Sequence, residues 1–363
     1  MILSVSRRTD IPCRYSEWFM NRIREGFAVV RNPFNASQLS RIPMTPEVVD
    51  CIVFWTKDPQ PLMPYLKELD SRGYRYYFQF TLTPYGKALE PGLRDKKEII
   101  RTFRSLAEQI GSSRIIWRYD PVVLNETMGI EYHRKAFRQL CCELQGCMRS
   151  VTVSFVDRYT GNGYWQEPGK PEPAWNYGNP GKPDPVSASG NPGKTEPAGD
   201  TGNPENPENP VKAEAGKKNL LRDTAEEEME ELAAFFARTG AEYGLQVNAC
   251  CEAKDLTAFG VGRASCIDRA VIEDILGGTV RLKPDKGQRK GCGCYESIDI
   301  GAYNTCPNGC IYCYANHSPK SLEANLRQTD KNSEMLVGHI REGDKVTERK
   351  AVSCFDGQCT LKL

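Results

Sequence analysis

Short apolar runs alternate with amphipathic segments of helical period along most of the chain, and this alternation limits the folds it can adopt. A strand buried on both faces has a nearly continuous apolar sequence, as parallel strands covered by helices do. Repeated strand–helix alternation predicts an α/β fold, either a (β/α) barrel or a doubly wound sheet. The predicted strands are 2–6, 51–57, 76–83, 114–121, 150–157 and 245–252, and the predicted helices are 16–26, 60–73, 96–111, 131–146 and 223–244.

The alternation stops between residues 166 and 218, where short units such as "GNPGKPDP" and "GNPENPENP" repeat imperfectly. Such a composition cannot bury enough apolar surface to offset the entropy of ordering the chain. A loop between a strand and a helix accepts an insertion at small entropic cost. We therefore expect 166–218 to be a disordered insert between a first part of the fold (1–165) and a second part (219–289). It could serve as a spacer or docking arm, or it could be a neutral repeat expansion.

Composition and charge disfavour several classes of protein. The formal net charge of +1, without a long basic run, argues against a dedicated nucleic-acid-binding protein. No window reaches the roughly 18 apolar residues of a membrane helix, and the first residues lack the apolar region of a signal peptide. We expect a cytoplasmic protein with no membrane partner. Thiols stay reduced in that compartment, so the fifteen cysteines need an explanation other than disulfide bonds.

Polar side chains follow the apolar run at several predicted strands. In (β/α) barrels the carboxyl ends of the strands and the loops after them build the active site. We therefore expect these strand ends to line one pocket. The residues are Arg7, Arg8, Thr9, Asp10, Lys57, Asp58, Thr81, Thr83, Arg118, Asp120, Ser154, Asp157 and Glu252.

Three cysteines lie close together in "TCPNGCIYCYAN", residues 305–316. Cys306, Cys310 and Cys313 have the spacing C-x₃-C-x₂-C, and Tyr312 precedes the last of them. Thiolates at such short spacing bind soft metals. Structural zinc prefers four closed ligands, whereas three thiolates can hold three irons of a [4Fe–4S] cluster and leave the fourth iron open to a small molecule.

Four further cysteines precede this triplet. Cys251, Cys266, Cys292 and Cys294 could hold a second cluster or a zinc ion, and Cys250 is the rival of Cys251. Free cysteines are more often small buried residues. The lysine and glycine neighbours of the last two cysteines weaken that interpretation, and both readings stay open.

The stretch "CPNGCIYC" (306–313) resembles the C-x₃-C-x-aromatic-C signature of the radical SAM superfamily. The resemblance implies a partial or full (β/α) TIM-like barrel and a [4Fe–4S] cluster on Cys306, Cys310 and Cys313. It implies that S-adenosylmethionine binds the open iron and is reductively cleaved to a 5′-deoxyadenosyl radical, which acts on a substrate. An electron donor such as flavodoxin or ferredoxin would serve this reaction. The substrate, small or macromolecular, and the catalytic residues stay open.

The same resemblance suggests which residues bind the cofactor. Tyr312 matches the position that lies near the adenine. We expect S-adenosylmethionine to lie across the carboxyl edge of the sheet and to contact Thr81, Arg118, Asp120 and Ser154. The planar fork of Arg118 suits a carboxylate, and its alternative role is a structural pair with Asp120.

The cysteine motif comes late in this chain, whereas superfamily members usually carry it after their first strand. If "ESIDIGAYNT" (296–305) is the first strand of the barrel, the chain is circularly permuted and this strand pairs in parallel with 2–6. The cysteine-rich segment 290–334 would then complete the barrel, and 335–363 would form a tail.

Nearly the whole chain outside the insert is similar to a bacterial family called domain of unknown function 1848. The family supplies no reaction, so the expected function comes from the cluster. The alternative is a binding protein in which the triplet and Cys292 or Cys294 form a closed zinc or cluster site. The matching stretches are "SVSRRTDIP", "VFWTKDP", "FTLTPYG", "WRYDPV", "SFVD", "CID" and "QRKGCGCYESIDIGAYNTCPNGCIYCYAN".

Overall fold

The protein is built from short strands and helices that alternate along the chain. A computed structural model describes residues 1–157, 221–289 and 291–359, so the insert expected at 166–218 lies outside the described residues. In chain order the elements are β1 (Ile2–Val5), α1 (Ile11–Arg14), α2 (Ser16–Glu25), β2 (Phe27–Asn32), β3 (Asn35–Pro43), β4 (Cys51–Thr56), α3 (Leu66–Ser71), β5 (Tyr76–Thr81), α4 (Lys96–Ile110), β6 (Ile115–Val122), α5 (Ile130–Glu143), β7 (Ser150–Phe155), α6 (Glu226–Glu242), β8 (Gln246–Ala249), β9 (Gly262–Arg263), α7 (Arg269–Leu276), β10 (Gly278–Val280), β11 (Ile298–Asp299), α8 (Pro319–Leu326), β12 (Lys345–Glu348) and β13 (Phe355–Cys359).

Eight parallel strands form the central sheet, in the order β11–β1–β4–β5–β6–β7–β8–β9. The predicted α/β class and the parallel sheet are confirmed. The sheet is not a closed barrel, because in the described part of the chain no pairing joins the outer strands β9 and β11. Each of these strands has only two residues, which leaves little backbone for a closing ladder.

The parallel pairing that we predicted between the two distant parts of the sequence is present. Leu3 of β1 lies opposite Ile298 of β11, and Ser4 lies opposite Asp299. The strand is shorter than the predicted 296–305, and the chain bends after it at Tyr303 and Asn304. A Cβ at Gly301 would lie 2.0 Å from the Ser6 hydroxyl, so only glycine allows this close approach.

One face of the sheet is covered by helices, as the periodicity predicts. In α4, apolar side chains recur every three or four residues and are buried on this face, and Asp95 caps the first turn by accepting a hydrogen bond from the Lys97 N–H at 2.9 Å. The Phe103 ring stacks on Phe80 of β5 at 4.6 Å between centroids.

The second face of the sheet is covered by the chain between β9 and β11. Ile2, Val53, Tyr77 and Ile116 form its apolar part and pack against that chain in one buried cluster. Alternate residues of a strand share a face, so Arg118 and Asp120 follow Ile116 on this face of β6. The second face therefore changes from apolar to polar towards the carboxyl ends of the strands.

Two small sheets complete the fold, and the sequence patterns did not predict them. β2 and β3 form an antiparallel pair to which β12 adds in parallel, and β10 pairs with β13. The segment 335–363 that we expected to be a tail thus contributes strands to both small sheets. No helix in the described residues is long and apolar enough to span a bilayer.

Candidate metal centre

The cysteine loop, residues 305–316, follows β11 and lies beside the chain that leaves β1. The Asn308 side-chain amide donates to Asp10 at 3.2 Å, and the Tyr314 hydroxyl donates to the Arg7 carbonyl at 2.7 Å. Arg7 and Asp10 come directly after β1. The loop therefore lies at the carboxyl edge of the sheet, next to the predicted polar strand ends.

A turn after β5 supports the cysteine loop from the other side. The Gly92 N–H donates to the Asn308 carbonyl at 2.9 Å, and the Ile311 N–H donates to the Leu89 carbonyl at 3.0 Å. A Cβ at Gly92 would lie 2.5 Å from the Pro307 carbonyl oxygen and 2.8 Å from the Asn308 Cα. Both are backbone atoms, so any side chain at Gly92 would displace the loop.

The three sulfur atoms of the loop lie in a largely buried environment with N–H donors. The Ala315 N–H lies 3.4 Å from the Cys313 sulfur, and the Asn308 N–H is directed at the Cys306 sulfur. Burial raises the pKa of Cys306 to about 12, and it raises the pKa of Cys310 and Cys313 as well. Metal coordination removes thiol protons, and N–H···S bonds stabilise the resulting thiolates, so this donor set fits a bound cluster.

A buried carboxylate, Glu90, lies beside the loop. Its Oε1 accepts from the Lys57 ammonium and from the Thr83 hydroxyl, both at 2.7 Å, and the carboxylate also pairs with Lys96. Burial alone would raise the pKa of Glu90, but the two ammonium groups outweigh it and lower the pKa to about 2. The Tyr312 hydroxyl donates to the same carboxylate. Sequence analysis missed Glu90, because nothing in "KALEPG" marks a glutamate that becomes buried.

Lys57 links the cysteine loop to the polar part of the second face. Its ammonium lies 5.4 Å from the centre of the Tyr312 ring. Burial alone would lower its pKa, but Glu90, Cys310 and Asp120 reverse the shift and raise it. Lys57 therefore carries positive charge between the triplet and Asp120.

Most of the residues predicted to bind S-adenosylmethionine lie together on the second face. Arg118 forms an ion pair with Asp120, which also accepts from the Ser154 hydroxyl, and Thr81 lies opposite Arg118 on the adjacent strand. Tyr312 lies apart from them, with Glu90. The ion pair is the alternative role that we gave Arg118, and contact with the cofactor stays a prediction.

The polar residues at the strand ends have different partners. Arg7 and Arg118 both lie over the ring of Trp55, and their guanidinium carbons are 5.2 and 5.4 Å from its centre. Asp58 instead makes two hydrogen bonds to Arg94, at 2.6 and 2.7 Å. Glu252 accepts from the Phe155 N–H at 2.9 Å, and burial raises its pKa to about 7. Among these strand-end residues, Arg7 and Arg118 thus share the Trp55 ring as a partner, whereas Asp58 is paired with Arg94.

The second group of cysteines differs from the prediction at one position. The Cys250 sulfur lies 3.2 Å from the Cys266 sulfur, whereas Cys251 has a left-handed backbone (φ 56°) and interacts with Arg289. Cys250 therefore replaces Cys251 in the group, because consecutive residues after β8 point in different directions. The Cys266 N–H donates to the Cys294 sulfur at 3.3 Å, and the Cys292 side chain interacts with that of Cys294.

These thiols are in contact with one another and do not form a finished coordination shell. Within residues 1–157, 221–289 and 291–359, no group of three or more His, Cys, Asp or Glu side chains is already arranged to hold a metal ion. Assignment of a metal at either group of cysteines therefore rests on the identity, spacing and surroundings of the sulfurs.

Comparison with known proteins places the chain in a family. No curated protein and no solved structure matches it. A family model described as "Domain of unknown function (DUF1848)" matches residues 2–164 and 209–315. The matched residues cover more than half of the chain and include Cys306, Cys310 and Cys313. The chain therefore belongs to the DUF1848 family.

Proposed function

We propose that this protein is an iron–sulfur enzyme of the radical SAM type, in which Cys306, Cys310 and Cys313 hold a [4Fe–4S] cluster. The observation that carries the proposal is the position of the C-x₃-C-x-aromatic-C loop. It follows a strand of a parallel sheet and lies at the carboxyl edge, where α/β enzymes have their active sites. A structural site needs no such position.

The chain itself holds the three thiolates and shields them from water. When bound, the cluster would supply an open iron for S-adenosylmethionine and would pass on the one electron, received from an external donor, that cleaves it to methionine and a 5′-deoxyadenosyl radical. The N–H groups of Asn308 and Ala315 stabilise negative charge on sulfur. Lys57 adds a positive charge near Cys310, which offsets part of the charge of three thiolates.

The polar part of the second face offers a binding surface for S-adenosylmethionine. The amino acid part of this cofactor carries an ammonium and a carboxylate, and the pair of Arg118 and Asp120 presents the complementary charges side by side. Ser154 and Thr81 add hydroxyl groups next to that pair. The substrate would enter over the same edge, and an external donor would supply the electron.

Anaerobic purification followed by iron analysis tests the proposal. We expect about four irons per chain at the triplet, and 5′-deoxyadenosine after reduction with dithionite in the presence of S-adenosylmethionine. Cys310→Ala should lose both, because two irons would then lack a protein ligand. Cys142→Ala is the matched control, since Cys142 is exposed on α5.

Two results would contradict the proposal. Full iron content and cleavage in the Cys310→Ala variant would remove the triplet as the cluster site. Protein without iron that holds zinc at the triplet would instead support the alternative, a zinc-stabilised binding protein.

A further inference from the structure

Four cysteines from three separate segments meet on the second face of the sheet. Cys250 follows β8, Cys266 follows β9, and Cys292 and Cys294 precede β11; we name these four residues the thiol set. Cys250 and Cys266 are 3.2 Å apart at sulfur, and the Cys266 N–H donates to the Cys294 sulfur at 3.3 Å. The Cys292 side chain in turn interacts with that of Cys294, so each member of the thiol set has another member as a neighbour.

The spacing of these sulfurs fits a single ion better than a cluster. Four thiolates around one tetrahedral zinc, at about 2.3 Å from the metal, are about 3.8 Å from each other. A [4Fe–4S] cluster places each thiolate on a different iron and separates the sulfurs much further. The 3.2 Å between the Cys250 and Cys266 sulfurs is close to the separation of two thiolates on one ion and much shorter than their separation on a cluster.

Backbone N–H groups are directed at the thiol set. The Cys266 N–H lies 3.3 Å from the Cys294 sulfur, which the Ile267 N–H also approaches. The Cys294 N–H is directed at the Cys292 sulfur. Such N–H···S bonds are outer-shell contacts that orient thiolate ligands and lower the cost of their charge.

Positive charge and fixed backbone surround Cys266. The Arg118 guanidinium lies 3.0 Å from the Cys266 sulfur, and Arg7 interacts electrostatically with Cys266 and Cys294. The carbonyl of Cys266 accepts from the buried side chains of Tyr77 and Gln79, at 2.8 and 2.9 Å. A site with four thiolates and one divalent ion carries net negative charge, which the two arginines would partly offset.

Ordinary buried cysteines elsewhere in the protein lack this environment. Cys51 and Cys141 are fully buried within the apolar clusters. Their surroundings agree with the common role of a free cysteine as a small apolar side chain. The thiol set differs, because its sulfurs contact other sulfurs, N–H donors and a guanidinium.

We propose that Cys250, Cys266, Cys292 and Cys294 bind one soft divalent cation, zinc by the chemistry of the donors, as a four-thiolate site. Binding requires the side chains to turn from their mutual hydrogen bonds towards a common point, and it releases the thiol protons. The site would connect the chain after β8 and β9 to the chain before β11, at opposite edges of the sheet. The inference does not rest on the proposed function of the triplet.

Cobalt(II) is the probe that tests the site, in a full-length chain with Cys306, Cys310 and Cys313 all replaced by Ala. We expect one cobalt per chain, with the sulfur-to-cobalt charge-transfer and visible bands of a tetrahedral thiolate site, displaced by zinc. In this background Cys266→Ser or Cys294→Ser should weaken binding by roughly tenfold or more. Cys251→Ser is the matched control and should leave binding unchanged.

Protection of thiols provides a second readout that needs no variant. In the wild-type chain, zinc should slow alkylation at the four positions of the thiol set and leave Cys251 and Cys142 reactive, as mapped by mass spectrometry. Absence of stoichiometric cobalt binding, or equal binding after Cys266→Ser, would overturn the inference. Four irons per chain in the triplet-free variant would replace the single ion with a cluster.

Discussion

The carboxylate of Asp299 accepts a hydrogen bond from the Ser4 hydroxyl at 2.8 Å, across 295 positions of the sequence. The same carboxylate accepts from the Ser6 hydroxyl and the Arg7 N–H, both at 2.7 Å. Asp299 thus fixes β11, and with it the cysteine loop, to β1.

Asp299→Ala should therefore destabilise the protein. The substitution leaves four partly buried donors, the Gly301 N–H among them, without their acceptor, which costs about 1–3 kcal/mol. We expect the melting temperature to fall by a few degrees. Glu342→Ala, at an exposed position, is the control, and equal melting temperatures for the two variants would contradict the role of Asp299.

A fragment that ends at residue 289 should be insoluble. It lacks β11, so one edge of β1 is unpaired, and it lacks Cys294 and Tyr295, which help to cover the second face. Expression and sedimentation of the fragment check this. A soluble fragment that melts cooperatively would show that 290–359 is a separate module.

Gly92→Ala should disturb the cysteine loop while the sheet stays folded. The added methyl group meets backbone atoms of Pro307 and Asn308, and overpacking of this kind costs about 1–3 kcal/mol. We expect lower iron content after anaerobic reconstitution, with an unchanged circular dichroism spectrum. Gly86→Ala is the control, since a Cβ there meets nothing within 4 Å. Equal iron content in the two variants would contradict the proposed support of the loop.

The stability of the protein should fall between pH 7 and pH 5 through His133. Its Nε2–H donates to the Val123 carbonyl at 2.8 Å, and its Nδ1 accepts from the Tyr119 hydroxyl at 2.7 Å, so the buried ring is neutral. Burial lowers its pKa to about 4. The unfolded chain, with a pKa near 6.5, binds the proton first, so acidification favours unfolding by about 2 kcal/mol over this range.

His133→Gln isolates this contribution. The variant should lose stability at pH 7 but show a shallower decrease between pH 7 and pH 5 in urea denaturation. His339→Gln is the control, because His339 is 61% exposed at its side chain. An unchanged slope in His133→Gln would mean that other groups cause the acid sensitivity.

Arg118→Lys should weaken the binding of S-adenosylmethionine without loss of iron. Lysine keeps the charge but loses the planar fork that suits a carboxylate. Calorimetric titration of the reconstituted protein, with iron analysis, measures both effects. Arg138→Lys is the control, since Arg138 pairs with Glu242 on an exposed helix surface. Unaltered affinity would leave Arg118 with a structural role beside Asp120.

Local sequence patterns predicted the sheet where strands are apolar throughout. "CIVFWT" and "YYFQFT" became β4 and β5, because burial on both faces requires continuous apolar side chains. β3 was not predicted, because its first four residues are exposed and it belongs to a small separate sheet. The outer strands β9 and β11 are too short for periodicity to set their limits.

Candidate site residues were visible in the sequence where they lie close together. The three cysteines of the triplet lie within one loop, so their spacing alone marked them as a candidate, and their role as metal ligands stays a prediction. The contact of Glu90 with Lys57 spans 33 positions, and the choice between Cys250 and Cys251 depends on one backbone angle. Neither the Glu90–Lys57 contact nor the choice of Cys250 over Cys251 has a local sequence signature, because each depends on how distant segments pack.

The pairing of β1 with β11 also has a consequence for biosynthesis. A ribosome synthesises β1 (Ile2–Val5) long before β11 (Ile298–Asp299), so β1 waits with one edge unpaired while the intervening strands are made. Contacts this far apart in sequence form late in folding, because closure of the intervening chain costs entropy first. The triplet follows all eight strands of the central sheet in the sequence, so any iron that it receives would arrive after those strands have been translated.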